Sequence, residues 1–272
     1  MTHRTLGLSV IIVSHGHEAL LHDCVGSLEA AFAGLTAEVI LVDNLGTSDI
    51  AAAVGEHKVR LHIQTNQRPQ GFAQNANQAV HSSAGRYVLL LNPDTVFLSG
   101  RLADAIAFMD TEPSAGLVGC KLLNPGGSVQ TNYRRFPTIP VVVARGCHAD
   151  GWRYRPKFYR HYLMEGERLE TVTAVDWVFG AFMLIRRADF DAIGGMDERF
   201  YLYYEDVDLC YRLRQKGLKT YYFPMIAMLH YHQRTSAARP LGMNWRYHVQ
   251  SVCRYFWKHR YGLRPPLQDC LT

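Results

Sequence analysis

Leu8 to Ser14 reads LSVIIVS, a continuous apolar, β-branched run of the kind that forms a strand buried on both faces of a parallel sheet. Helical spacing follows through Leu20, Leu21, Cys24, Val25 and Leu28, and a second apolar run, Glu38 to Asn44 (EVILVDN), ends in Asp and Asn. A third run, Val59 to Asn66, ends in Thr-Asn. Gly71 to Ala84 reads as a helix rich in Ala, Asn and Gln, and Tyr87 to Leu91 supplies the next strand after Gly85. The alternation is βαβ, which predicts an α/β fold with an open, mostly parallel sheet flanked by helices. Four strand ends then place Ser14, Asp43, Asn66 and Asp94 along one crevice, where open α/β sheets bind ligands.

Downstream, the spacing predicts a helix over Ser99 to Asp110 and a strand over Ala115 to Leu123. Asn124 to Glu170 has no clean period and reads as long loops with short elements, the place to expect acceptor specificity. Gly180 to Arg186 returns to a buried strand pattern. A short helix is expected over Asp189 to Ile193, and another over Asp206 to Lys216, stopped by Gly217. Lys219 to Phe223 reads as a strand ending before Pro224, and Asn244 to Tyr261 as a terminal helix.

With 272 residues and 48% hydrophobic content, the chain can bury a core of its own. Its N-terminal apolar run is far below the roughly 18 residues a membrane span needs, so neither a signal peptide nor a transmembrane helix is expected. Six cysteines without a Cys-x-x-Cys pair argue for reduced thiols in the cytosol rather than a zinc ribbon or a disulfide framework. A formal charge of +5 is too mild to imply nucleic acid, but it suits a phosphate-bearing substrate or an anionic membrane face. The crevice carries no Gly-x-Gly-x-x-Gly after the first strand, where SHGHE stands, and no P-loop occurs, which removes dinucleotide dehydrogenase and P-loop readings.

Two acidic corners remain. Asn92-Pro93-Asp94 delivers an acid at a strand's carboxyl end, and a hard divalent cation needs only such a carboxylate plus substrate phosphates. The plain alternative is a strand-ending turn. The stretch 176–212, DWVFGAFMLIRRADFDAIGGMDERFYLYYEDVDLCYR, sets Glu205, Asp206 and Asp208 against Tyr201, Leu202, Tyr203 and Tyr204. Acids in a first helical turn suit the helix dipole. The aromatic surroundings add desolvation, which raises a carboxylate toward a useful general base. His230 closes a strand-like segment and could complete a metal's coordination beside Asp94. His232 lies on the same side of an extended chain, so spacing does not choose between them.

Taken in order, LSVIIVS, EVILVDN, TNQRPQGFAQNANQAV, GRYVLLLNPDT, DWVFGAFMLIRR, GGMDERFYLYYEDVDLCYRLRQKG and LHYHQRTS resemble glycosyltransferase family 2, and within it the bacterial rhamnosyltransferase-like enzymes. The resemblance implies a GT-A fold over residues 1–240, with a nucleotide-sugar-binding half at 1–95 and a metal and acceptor half at 96–240. It also implies a nucleotide-diphospho-sugar donor, Mg²⁺ or Mn²⁺, and transfer with inversion to a glycan or polyprenyl-linked glycan. L-rhamnose is the expected sugar, because NPDT in place of Asp-x-Asp is usual in that branch. Carried over by position, Ser14, Asp43, Asn66, Gly71, Phe72, Asn75, Asn77, Asn92 and Asp94 serve the donor. Asp94 and His230 hold the metal, Asp206 is the base with Glu205 in support, and Trp177, Gly180 and Glu205 shape the acceptor side. Where family members carry Tyr-Asn after the first strand's Ser, this chain has His15-Gly16.

Residues 241–272 form a basic aromatic segment, with Arg246, Arg254, Lys258, Arg260 and Arg264 among Trp245, Tyr255, Phe256, Trp257 and Tyr261. That composition suits a helix lying on the inner face of the cytoplasmic membrane, or equally one packing its aromatics onto the domain. Two rivals of other classes are a catalytically silent sugar-nucleotide- or glycan-binding subunit, against which the retained acids count, and a nucleotidyltransferase, for which SHGHE supplies no phosphate loop.

Overall fold

Every residue of strand β1 (Leu8–Ser14) is buried, and successive side chains enter two different cores. Ile11 and Val13 join one apolar cluster, while Leu8, Val10 and Ile12 join the other. This explains the unbroken apolar run: a helical layer covers each face of the sheet. The structure is a computed structural model and describes residues 6–46, 49–167, 169–231 and 243–261.

After β1 come α1 (Glu18–Ala31), β2 (Ala37–Asp43), α2 (Ile50–Val54), β3 (Leu61–Thr65), α3 (Phe72–Ser82), β4 (Tyr87–Leu91), β5 (Thr95–Ser99), α4 (Leu102–Thr111) and β6 (Ala115–Leu123). Short pieces follow: β7 (Val129–Gln130), β8 (Tyr133–Arg134), α5 (Ile139–Gly146), α6 (Lys157–Leu163), β9 (Thr173–Val175) and β10 (Trp177–Val178). The chain continues through β11 (Phe182–Arg186), α7 (Arg187–Ala192), α8 (Glu205–Gln215), β12 (Lys219–His230) and α9 (Met243–His259).

The main sheet runs β3-β2-β1-β4-β11-β6-β12-β5, with β7 added to β6 and β9 to β12, and β8 pairs with β10 separately. Strands β3, β2, β1 and β4 are mutually parallel, whereas β11 is antiparallel to β4 and β6. Leu21, Cys24, Val25 and Leu28 of α1 cover one face with α4. Ala73, Ala76 and Ala79 of α3 cover the other with α8. The small residues of α3 let it approach the sheet closely.

Two elements differ from the sequence expectation. Thr95–Ser99 is a strand, so the following helix begins at Leu102 rather than Ser99. This strand pairs with β12, far away in the chain, and its Phe97 N–H donates to Ser27 Oγ of α1 at 2.9 Å. Strand β12 also does not stop at Pro224. Its register against β6 shifts between Phe223 and Ala227, so the proline sits where the ladder asks for no N–H. By running on, β12 delivers His230 next to Thr95, one residue after Asp94.

Candidate active site

The parallel register sets Ser14 beside Asp43 at the carboxyl ends of β1 and β2. Both are almost fully buried. Asp43 Oδ1 accepts from the N–H groups of Leu45 (3.2 Å) and Gly46 (3.0 Å), closing the turn after β2. Gly46 has φ +65°, and a Cβ there would lie 2.5 Å from Asn66 O, so the turn requires glycine. Beneath it runs an amide network. Asn66 Nδ2 donates to Asn44 Oδ1 (2.9 Å) and to Asn75 Oδ1 (2.6 Å), and Asn75 Nδ2 donates to Gly71 O (3.1 Å). Asn44, Asn66 and Asn75 therefore stitch the ends of β2 and β3 to the start of α3.

Gly71 and Phe72 dock that helix onto the segment leading to the acids. Phe72 N–H donates to Tyr201 O at 3.1 Å, and a Cβ on Gly71 would meet Tyr201 Cα and O at 3.0 Å. Asn77 clasps the Gly-Gly loop, donating to Met196 O (2.9 Å) and accepting from Met196 N–H (2.9 Å).

Asp94 and His230 meet at the candidate metal corner. His230 Nε2 lies 3.4 Å from Asp94 Oδ1, and both side chains are nearly buried. Gln130 Oε1 is 2.7 Å from His230 Nδ1. An amide oxygen so placed accepts from Nδ1–H and fixes the ring from behind, leaving Nε2 directed toward the carboxylate. The carboxylate suits a hard divalent cation completed by substrate phosphate and water, and the imidazole adds a softer nitrogen donor beside it. Among the described residues no group of three or more His, Cys, Asp or Glu side chains could hold a metal alone. His232 lies outside the described residues.

Asn92 links this corner to the second one. Its N–H donates to Ala181 O (3.1 Å), and the neighbouring Gly180 N–H donates to Asp206 Oδ2 (3.1 Å). The carboxyl end of β4 and the first turn of α8 thus share the strand entry at 180–181.

Tyr203 and Tyr204, just before α8, both have φ +67°, a left-handed backbone that costs about 1–3 kcal/mol at a bulky residue. This twist aims Glu205 and Asp206 into a cavity of about 220 Å³ walled by Trp177, Phe179, Tyr203, Tyr204, Arg145 and His248. Trp177 is fixed through Nε1–H to Arg135 O (2.9 Å). Burial pushes both carboxyls above their ordinary range, and the Asp206 charge adds to the rise at Glu205. The N–H groups of Val207 (2.8 Å) and Gly180 stabilise ionised Asp206, so it loses its proton the more readily.

The inner face of α9 packs onto the domain. Tyr255 is fully buried in the main core, Ser251 Oγ donates to Leu202 O (2.9 Å), and Tyr247 stacks on Tyr201 at 4.5 Å. Asp208 of α8 accepts from Lys258 Nζ (2.6 Å) and faces His259 Nε2 (2.8 Å). Trp245 and Trp257 remain exposed on the outer side. Among the described residues no helix is long and apolar enough to cross a membrane.

The sequence signature described as Glycosyltransferase like family 2 matches residues 4–243, most of the chain. The chain belongs to this family. It is similar to the rhamnosyltransferase WbbL of Escherichia coli K12, at 27% identity over 259 residues covering 92% of this chain and 93% of WbbL. It is also similar to the N-acetylglucosaminyl-diphospho-decaprenol L-rhamnosyltransferase of Mycobacterium tuberculosis, at 26% identity over 96% of this chain and 88% of that protein. Among solved structures, the mannosyltransferase PcManGT of Pyrobaculum calidifontis, in complex with GDP-Man and Mn²⁺, aligns with a TM-score of 0.64 at 17% identity, covering 99% of this chain and 69% of that one. GalNAc-T7 with UDP, GalNAc and Mn²⁺ aligns at 0.65 and 17%, covering 88% of this chain and 46% of that one. These likenesses establish the GT-A fold.

Within this family 2 glycosyltransferase, the structure brings Asp94 to His230 and Gly180 to Asp206. It commits much of Asp43, Asn66, Asn75 and Asn77 to each other and to backbone. Four site residues escaped the sequence reading: Arg145, His248, Phe179 and Gln130. Phe179 sits between Trp177 and Gly180, whereas Gln130, Arg145 and His248 come from separate segments, the first two in the stretch without a period.

Proposed function

We propose that this glycosyltransferase moves L-rhamnose from dTDP-rhamnose to a hydroxyl of a glycan or polyprenyl-linked glycan in cell-surface polysaccharide assembly. The observation carrying the reaction is the chain of contacts from Asn92 through Ala181 and Gly180 to Asp206, which joins the donor crevice to an aromatic-walled, acid-floored cavity. Support for rhamnose comes from the named activities of the E. coli and mycobacterial relatives. The mycobacterial name also supports a lipid-linked acceptor.

The proposed chemistry is a single displacement with inversion. The acceptor hydroxyl enters the cavity and stacks its sugar on the Trp177 and Phe179 rings, whose centroids lie 5.5 Å apart. Asp206 takes the hydroxyl proton as its oxygen bonds to the anomeric carbon and the bond to the nucleoside diphosphate breaks. Glu205, with its proton more firmly held, orients the acceptor as a hydrogen-bond donor. Asp94 and His230 would hold a Mg²⁺ or Mn²⁺ ion, which when bound supplies positive charge to offset that growing on the leaving diphosphate.

The exposed stripe of α9, with Val249, Cys253 and Trp257, fits a peripheral contact at the inner face of the cytoplasmic membrane. Deleting α9 would remove Tyr255 from the core, so a Trp245→Ala, Trp257→Ala protein is the right comparison in vesicle sedimentation. Unchanged sedimentation would remove the contact from the proposal.

The reaction is tested by incubating the protein and Mg²⁺ with thymidine- and uridine-diphosphate sugars, following thermal stabilisation and nucleoside diphosphate release. Stabilisation by dTDP-rhamnose that depends on metal and disappears in Asp94→Ala is the expected result. Preference for another nucleotide sugar would replace rhamnose, and pyrophosphate release would replace the reaction class.

A further inference from the structure

Arg145, in the last turn of α5, stands in the wall of the cavity floored by Glu205 and Asp206. Its Nη1–H donates to the hydroxyl of Tyr162 at 3.1 Å, and Tyr162 is itself buried. A neutral partner thus holds the guanidinium in place. Arg135 pairs with Asp176 and Glu167, and Arg155 with Glu165. Arg145, by contrast, has no carboxylate at ion-pair distance among the described residues. Packing does not require it, because Val141 and Ala144 supply the buried face of α5 while Arg145 is open to solvent. Proton abstraction does not account for it either, since a cation beside a general base favours the ionised form but lowers its basicity, and the Val207 and Gly180 N–H groups already favour ionised Asp206.

What such a group does well is bind an anion. A guanidinium presents five N–H donors in a planar fork that matches phosphate oxygens, and the bond to Tyr162 occupies few of them. In a single displacement the entering hydroxyl and the leaving diphosphate lie on opposite sides of the anomeric carbon. A cation on the Asp206 side therefore faces the acceptor. The cavity has room for about one sugar ring, which brings the anion within one ring of the reacting hydroxyl.

We infer that Arg145 recognises a phosphate carried by the acceptor next to its accepting sugar, so that the acceptor class is a glycosyl phosphate or diphosphate ester rather than a neutral glycan. This rests on the acceptor side proposed above. The phosphate could belong to a lipid carrier or to a soluble sugar phosphate.

The test compares kcat/KM for dodecyl-diphosphoryl-N-acetylglucosamine, N-acetylglucosamine 1-phosphate and dodecyl N-acetylglucosaminide, with calorimetric affinities for the same three probes. The wild-type protein should favour phosphorylated over phosphate-free acceptor by roughly 10- to 100-fold, the span of a hydrogen bond to a charged group. Arg145→Gln should shrink that ratio to within about 3-fold, and Arg145→Lys should keep part of it. Equal use of the two phosphorylated probes points to a soluble ester, and preference for the dodecyl diphosphate to a lipid carrier. A wild-type protein indifferent to phosphate overturns the inference. So does an Arg145→Gln protein that keeps the ratio, or one that loses donor affinity instead. Transfer to none of the probes would count against the proposed function, while the calorimetric ratio would still decide the role of Arg145.

Discussion

His230 Nε2 faces Asp94 Oδ1 across 3.4 Å, while Gln130 Oε1 sits 2.7 Å from the opposite ring nitrogen. If this pair is a metal site, its affinity depends on Gln130, which touches neither the carboxylate nor an ion. Gln130→Ala keeps both ligands but frees the ring. Losing such an orienting partner typically costs about 10- to 100-fold in metal affinity. Titrating Mn²⁺ into the protein with nucleoside diphosphate present should show this loss, and an unchanged Mn²⁺ affinity would take His230 out of the site.

Asp206 is held toward the cavity by Gly180 N–H at 3.1 Å, so Asp206→Asn preserves the shape and removes the proposed base. Donor binding should survive, and turnover should fall by about 10²–10⁴-fold, the usual contribution of a positioned base. Burial raises the Asp206 and Glu205 carboxyls. The acidic limb of the wild-type kcat/KM profile should therefore lie well above the ordinary carboxylate value of about 4, activity being lost as pH falls through the raised value. Wild-type turnover in Asp206→Asn would sink the assignment.

Glu205 carries a second consequence of the same burial. Its carboxyl is raised in the folded state by burial and by the neighbouring Asp206 charge, so the folded protein binds the proton more tightly than the unfolded chain does. Stability must then decline as pH climbs from the unfolded value of about 4 through the raised one. Glu205→Gln removes that penalty. Its melting temperature should exceed the wild type's at slightly alkaline pH, with the gap closing toward about pH 4. A gap of constant size across that range would show that ionisation is not its cause.

The parts that could be read from sequence are those whose causes are local. LSVIIVS and EVILVDN announce strands because both sheet faces are covered, so Val10 to Val13 and Val39 to Val42 run without a polar side chain, and the buried Ser9 and Glu38 satisfy each other at 2.7 Å. β5 (TVFLS) went unread as a strand because only its pairing with β12, far along the chain, marks it as one. Pro224 looked like a strand end because a register shift that spares its missing N–H leaves no sequence mark. Residue type, position and the family resemblance offer Asp94, His230, Glu205 and Asp206 as candidates, and the structure sets them in two neighbouring pairs. Their partners Gln130, Arg145 and His248 were not legible, since each comes from a segment whose own pattern says nothing of the cavity it completes. The asparagines that the resemblance assigns to the donor pocket, Asn66 and Asn75, bond to each other, to Asn44 and to Gly71 O.

Asp208 ties the terminal helix to the site. Its fully buried carboxylate accepts from Arg212 Nε (2.7 Å) and Lys258 Nζ (2.6 Å) and faces His259 Nε2 (2.8 Å). Burial alone would push this carboxyl up. The His259 hydrogen bond and the Arg212 and Lys258 charges more than offset it, leaving the group below its ordinary range. Stability from this group is therefore present above the unfolded carboxylate value and lost as pH falls through the lower folded one. Asp208→Asn keeps the volume but strands buried cations, a change that costs about 3–5 kcal/mol when one partner of a buried pair is removed. Lys258 retains Asp197 at 2.7 Å, so the lower end of that range is expected in urea unfolding. Because α9 also carries His248 into the proposed acceptor cavity, the variant should raise the acceptor KM more than the donor KM. Equal changes in both, or wild-type stability, would mean that Tyr255 and Ser251 hold the helix without help from Asp208.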